Sequence, residues 1–158
     1  MQLGQLLDNV GDHIPLVCEP VTFWLNTRDA DGRVFKVKVR ALLAPVSEPE
    51  KVDCMRQAEQ WLRSQPDYAE KDGKLPAIPA IAVSEEIDIR FLAMALRDID
   101  NSARPLVETA NYARFRLGLT EQVSATLHRE YKAFMSREYP NAVSDTQIRQ
   151  LEEQAKGK

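Results

Sequence analysis

Glycine is scarce in this chain and never clustered. The six glycines stand singly, at 4, 11, 32, 73, 118 and 157, which excludes a glycine-rich phosphate loop. Histidine is scarcer still, with only His13 and His128. Neither has a second His, Cys or acidic residue at a spacing that would build a metal site on one element. Two cysteines, Cys18 and Cys54, are too few and too far apart to read as a disulfide framework. Two thiols in a reducing compartment are expected. No apolar run approaches the ~20 residues of a membrane span, and the start Met1-Gln2-Leu3-Gly4 lacks the basic-then-apolar order of a signal peptide. Charge of one sign is also missing. A net charge of −3 gives no chain-wide basic footprint, so neither a nucleic-acid nor a membrane partner is expected.

What the chain has is pattern. With 158 residues, 44% of them hydrophobic, it is long enough to bury a core. VTFWLN and RVFKVKVRALLA flank TRDADG. In the second run Val34, Phe35, Val37 and Val39 stand against Lys36, Lys38 and Arg40, the period of a strand with one wet face. Asp31-Gly32 supplies the turn. A β-hairpin is therefore predicted within residues 1–46. A lone hairpin is marginal in water, so it must pack on helices, gain a third strand from residues 14–18, or pair with another subunit.

Residues 47–139 read as a helical body. Ser47-Glu48-Pro49-Glu50 is a capping box with an early proline. It opens a helix to about Ser64 with Val52, Met55, Ala58, Trp61 and Leu62 on its buried side. Residues 65–83 form a long loop with a turn at Asp72-Gly73 and Pro76 and Pro79 holding its second half extended. Ser84 is expected to cap a helix through Ile99, with Glu85, Glu86 and Asp88 favoured at its start and Arg90 and Arg97 on its outer side. A further helix is expected from Asn101-Ser102, with Pro105 in its first turn and Leu106, Ala110, Ala113 and Leu117 on its core stripe. Thr120 caps the long helix EQVSATLHREYKAFMSRE, striped by Val123, Leu127, Tyr131 and Phe134. Residues 140–158 add a short helix capped at Ser144 and a polar end. The fold class expected is α+β: an N-terminal β-hairpin, or three-stranded sheet, packed on a mainly α-helical body of four to five helices.

No catalytic constellation stands out. Ser84 and Ser144 have capping roles, and His128 reads as a surface residue. The scattered arginines interleave with acids and read as a solvated mixed-charge face. No catalytic residue, cofactor or metal is expected. The surplus is apolar: Tyr112 and Phe115 fall off the stripe of their helix, giving it two greasy sides.

An N-terminal hairpin, a helical body whose last long segment reads HREYKAFMSREYPNAVSDTQIRQLEEQ, and an end at Lys156-Gly157-Lys158 together resemble the tail assembly chaperones of long-tailed bacteriophages and prophages. The resemblance covers most of the chain as architecture and little of it as residues. It implies a non-enzymatic protein of the host cell cytoplasm that coats the tape measure protein, self-associates as a homo-oligomer, and yields to the tail tube protein. It also implies a longer form made by frameshifting, with the terminal Gly-Lys as its junction. Within it, Phe91, Met94, Tyr112, Phe115, Phe134 and Met135 are the candidate partner-binding side chains. Trp24, Phe35 and Val37 are the candidates for self-association. Two other readings compete: a different interaction module, such as a head–tail joining factor or an inhibitor of a host protein, and a small enzyme with a scattered site.

Overall fold

The computed structural model describes residues 17–140, together with Glu153. Two ten-residue strands, β1 (Glu19–Arg28) and β2 (Val34–Leu43), form the expected hairpin, in register from Glu19↔Leu43 to Arg28↔Val34. Asp29 organises its turn. The Oδ1 atom accepts from the backbone N–H of Asp31 (3.0 Å) and of Arg33 (2.9 Å), and Gly32 takes the left-handed φ of 82° that its lack of a Cβ permits.

Helix α1 (Glu48–Arg63) begins at the predicted capping box. Ser47 Oγ accepts from the Glu50 N–H at 3.3 Å, and the Glu50 carboxylate accepts from the Ser47 N–H at 3.1 Å. Its buried stripe is Cys54, Ala58 and Leu62, at i, i+4, i+8. Val52 and Met55 were expected inside but fall off that stripe and are exposed. The connection to the next helix is stapled by Arg63, whose Nη1 donates to the carbonyls of Tyr68 (3.1 Å) and Pro76 (2.5 Å). Asp72 and Gly73 form its predicted turn, both with positive φ.

Helix α2 (Ala80–Ala95) starts four residues before the expected Ser84, with Pro79 at its N-cap. The Pro79 carbonyl takes the N–H groups of Ala82 and Val83, so no side-chain cap is needed. The helix also ends early and turns directly into β3 (Leu96–Asp98), which pairs with β2 from Ala41↔Asp98 to Leu43↔Leu96. That pairing follows from burial. Ala41 and Leu43 are fully buried, and the outer edge of β2 would otherwise carry orphaned backbone groups there. The third strand is thus β3, and residues 14–16 lie outside the described set.

The largest departure from the sequence expectation is at residues 101–117. Asn101–Pro105 is a strand, β4, paired with β3, not the first turn of a helix. Asp98 Oδ1 accepts from the Asp100 N–H (2.8 Å) and Asn101 Oδ1 from the Ala103 N–H (3.0 Å). Such local side-chain contacts draw the backbone into a turn, and Pro105 is tolerable because β4 is an edge strand. Only after a 3₁₀ turn (Thr109–Asn111) does α3 (Tyr112–Gly118) form. It buries Tyr112 and Phe115 and leaves Leu117 exposed, reversing the predicted stripe. Thr120 caps α4 (Glu121–Glu138), accepting from the Val123 N–H as expected.

The sheet is antiparallel in the order β1-β2-β3-β4, with α1 and α2 inserted between its second and third strands. The architecture is α+β. One face of β1 and β2 (Val21, Phe23, Ala41, Leu43) packs with Leu92, Ala95 and Leu96 and with Leu127, Tyr131 and Phe134 of α4. The Tyr131 hydroxyl accepts from the Val46 N–H at 3.0 Å, a buried bond across 85 residues. At the far end of α4 the Tyr139 hydroxyl meets Val17, and Arg137 meets Glu19 at 2.7 Å. No disulfide joins Cys18 to Cys54.

Candidate functional site

The hairpin is longer than the body that covers it. Along its inner face burial fades from Val21, Phe23, Ala41 and Leu43, through half-buried Leu25 and Val39, to Val37 (36% exposed) and Phe35 (44%). Among the described residues, the inner-face side chains thus continue past the last layer that buries them. The boundary is set by α3. Gly118 at its C-terminus abuts the Asn26 carbonyl and the Leu25 side chain so closely that an added Cβ would overlap them.

The register divides the residues expected to act together in self-association. Trp24 pairs with Lys38, Val37 with Leu25, and Phe35 with Thr27. Alternation puts Phe35 and Val37 on the inner face and Trp24 (52% exposed) on the other. Sequence reasoning grouped them by hydrophobicity. The two-residue period of β2 would have separated Lys36 and Lys38 from Val37, but the pairing offset of β1 is visible only in the structure.

The candidate partner-binding side chains separate in the same way. Tyr112, Phe115 and Phe134 are buried, which corrects their expected place on a surface. Each completes the interior: Phe115 and Phe134 join the main core, and Tyr112 faces Glu86. Phe91, Met94 and Met135 are half-buried against that core. Phe91 lies edge-on to Tyr131, with ring centroids 4.8 Å apart, and stacks with His128 at 5.7 Å. The His128 Nε2 is 3.2 Å from the Asp88 carbonyl.

Sequence reasoning missed a buried polar cluster. Glu86 is 1% exposed, in the second turn of α2 and not at its start. Its Oε1 accepts from the Tyr112 hydroxyl at 2.5 Å, and its Oε2 from Arg116 Nε at 2.7 Å. Arg90 Nε lies 3.4 Å from Oε1. The Arg90 guanidinium also sits 3.5 Å over the Tyr112 ring, and that of Arg116 sits 4.2 Å over Trp61 of α1. Burial, then the bond to Glu86, pushes the Tyr112 hydroxyl well above its ordinary range. One carboxylate thereby locks α1, α2 and α3 together. Both oxygens of the Glu86 carboxylate are engaged inside the cluster, while Arg90 Nε has no hydrogen bond. The i, i+4 pairs Glu86/Arg90 and Tyr112/Arg116 were its only signal in the sequence.

Recesses lie beside these features. One, about 590 Å³, lies between α1 and the start of α2, lined by Glu59, Gln60, Arg63, Ile78 and Val83. Its Arg63 is already engaged by the loop. Another, about 290 Å³, lies between β1 and α4 next to Trp24. Among the described residues no group of His, Cys, Asp and Glu is arranged to hold a metal ion, and no helix is long and apolar enough to cross a membrane. No protein-family model, curated protein or solved structure matches the chain. The predicted helix at Ser144 and the Lys156-Gly157-Lys158 end lie outside the described residues, Glu153 apart.

Proposed function

We propose that this chain is a non-enzymatic interaction protein of the tail assembly chaperone kind. In this reading it associates with copies of itself through the overhanging end of the hairpin while holding a tape measure protein, in the host cell cytoplasm, until tail tube protein takes its place. The observation that carries the reading is the exposed inner face at Val37 and Phe35. β-branched and aromatic side chains in a strand gain their stability from cross-strand packing and burial, and here a second subunit is the natural source of that burial. The partner is taken from the resemblance of the sequence to such chaperones, in which an N-terminal hairpin precedes helical segments. A chaperone that must be displaced needs modest affinity per copy and many linked copies, and mutual contacts between hairpins would supply that avidity. Half-buried Phe91, Met94 and Met135 remain as candidate contacts for the apolar stripe of a helical partner.

Sedimentation of the full chain tests the first half of the reading. The wild-type protein is expected to form oligomers, and the pair Phe35→Glu/Val37→Glu to shift it toward monomer without lowering its melting temperature. Co-expression with a tape measure protein tests the second half, with co-purification as the expected result. A monomer of unchanged size in both forms would remove the hairpin from the argument. A stable ring that ignores tape measure protein would favour a head–tail joining factor.

A further inference from the structure

We infer that the outer face of the β1–β2 hairpin binds single-stranded nucleic acid, with Trp24 as a stacking platform and a row of cations for the phosphates. The register gathers Arg28, Lys36, Lys38 and Arg40 on this one face, around Trp24. All five are exposed. None of the four cations pairs with a carboxylate among the described residues. The facing positions Thr22, Asn26, Val34 and Leu42 carry no charge. Arg97, the next cation along, aligns with Leu42 but is occupied by Glu50 at 3.5 Å. The overall charge of −3 conceals this local cluster, and it is local potential that a charged ligand meets.

Charge complementarity demands an anionic occupant, and the geometry favours nucleic acid over an acidic peptide. Same-face cations on β2 recur about every 7 Å, presenting side chains only, because the backbone groups of both strands lie in the plane of the sheet. A peptide laid across this face would find no ladder for its own N–H and C=O groups. A nucleic acid strand needs only cations for its phosphates and a flat surface for its bases, and a half-exposed indole among lysines provides both. The recess of about 290 Å³ beside Trp24 adds Gln122, Thr126 and Glu130 of α4 at its rim. These are donors and acceptors suited to the edge of a base stacked on the indole, and single-stranded bases expose those edges where paired ones do not.

The test uses the full chain and a short fluorescent oligothymidylate, followed by anisotropy. Three to four phosphate contacts predict that affinity falls about twenty- to fifty-fold between about 50 and 200 mM salt. Lys36→Glu/Lys38→Glu is expected to abolish binding. Trp24→Ala is expected to weaken it roughly tenfold, and a duplex of equal length to bind more weakly than the single strand. In a Trp61→Phe background Trp24 is the one tryptophan left, and its fluorescence should be quenched on binding. Circular dichroism melting checks that the variants fold. Should the Glu pair melt early, Lys36→Gln/Lys38→Gln replaces it. Absence of binding at low salt overturns the proposal, as does binding that ignores the Lys pair. Equal binding of a polyglutamate peptide, unaffected by Trp24→Ala, makes the face an acidic-peptide site and also overturns it.

Discussion

Charge is used in opposite ways in two regions of this molecule. In the seam between α2 and α3, one carboxylate at Glu86 is buried and shared by Tyr112, Arg116 and Arg90. On the outer face of the hairpin, four cations are exposed and have no carboxylate partner among the described residues. A buried charge with its partners in place fixes the relative position of the elements that bring them, and removing one member strands the rest. An exposed, unpaired row contributes little to stability and keeps its field for a ligand. Ionic side chains therefore say where a protein is rigid or receptive only once their partners are known.

The comparison can be broken most sharply at Glu86. Glu86→Ala leaves Arg116, Arg90 and the Tyr112 hydroxyl without their common acceptor, and a loss of about 3 kcal/mol is expected in urea unfolding. A loss below ~1 kcal/mol would mean that water replaces the carboxylate and that the seam is no lock. Next in size is Gly118→Ala. Alanine normally favours a helix over glycine, but here its methyl would overlap the Asn26 carbonyl, so a loss of about 1–3 kcal/mol is expected instead. Ser47→Ala, which opens the capping box of α1, should cost about 1 kcal/mol by the same measurement. In the other region, Lys38→Ala should change stability by less than about 0.5 kcal/mol; a larger loss would show that the row is structural.

Alkaline titration sharpens the contrast by a different route. Tyr112 holds its proton more tightly folded than unfolded, so its contribution is fully present below its ordinary value of 10.0. As pH rises above that value the unfolded chain releases the proton first, and stability falls. Cys54 and Tyr131, also raised chiefly by burial, act in the same direction. Tyr112→Phe should flatten the alkaline limb of a melting-temperature profile while leaving the neutral region lower by the lost hydrogen bond. An unchanged limb would show that the hydroxyl is not held as described.

The elements legible in the sequence are those whose signals are local. The alternation of Val34 to Arg40, the Asp-Gly turns and the boxes at Ser47 and Thr120 each depend on neighbours within a few residues. The strand at Asn101–Pro105 was not legible, because its capping-like Asn-Ser start and early proline suit a helix equally well. What decides is the exposed edge of β2, which needs β3 and then β4. The reversal at Tyr112 and Phe115 has the same origin. With the helix beginning at Tyr112 and not at residue 102, its phase is set by Glu86 and the core, neither of them near in sequence. Trp24, Phe35 and Val37 were grouped as one self-association set, and only the pairing of β1 with β2 shows that they lie on opposite faces.

The insertion of α1 and α2 between β2 and β3 also bears on the order in which the chain assembles. The hairpin closes a loop of a few residues, whereas the contact of Leu43 with Leu96 must close one of about fifty, an entropic cost that local pairing avoids. The hairpin and α1 are therefore expected to form early, and the β2–β3 ladder late, once α2 has brought Leu96 back to the sheet. Until then β2 presents its buried, apolar end as an open edge. The topology therefore predicts a stage in which the edge that β3 will occupy is open to a neighbouring strand, and refolding at rising protein concentration is expected to increase exchange of β3 between copies.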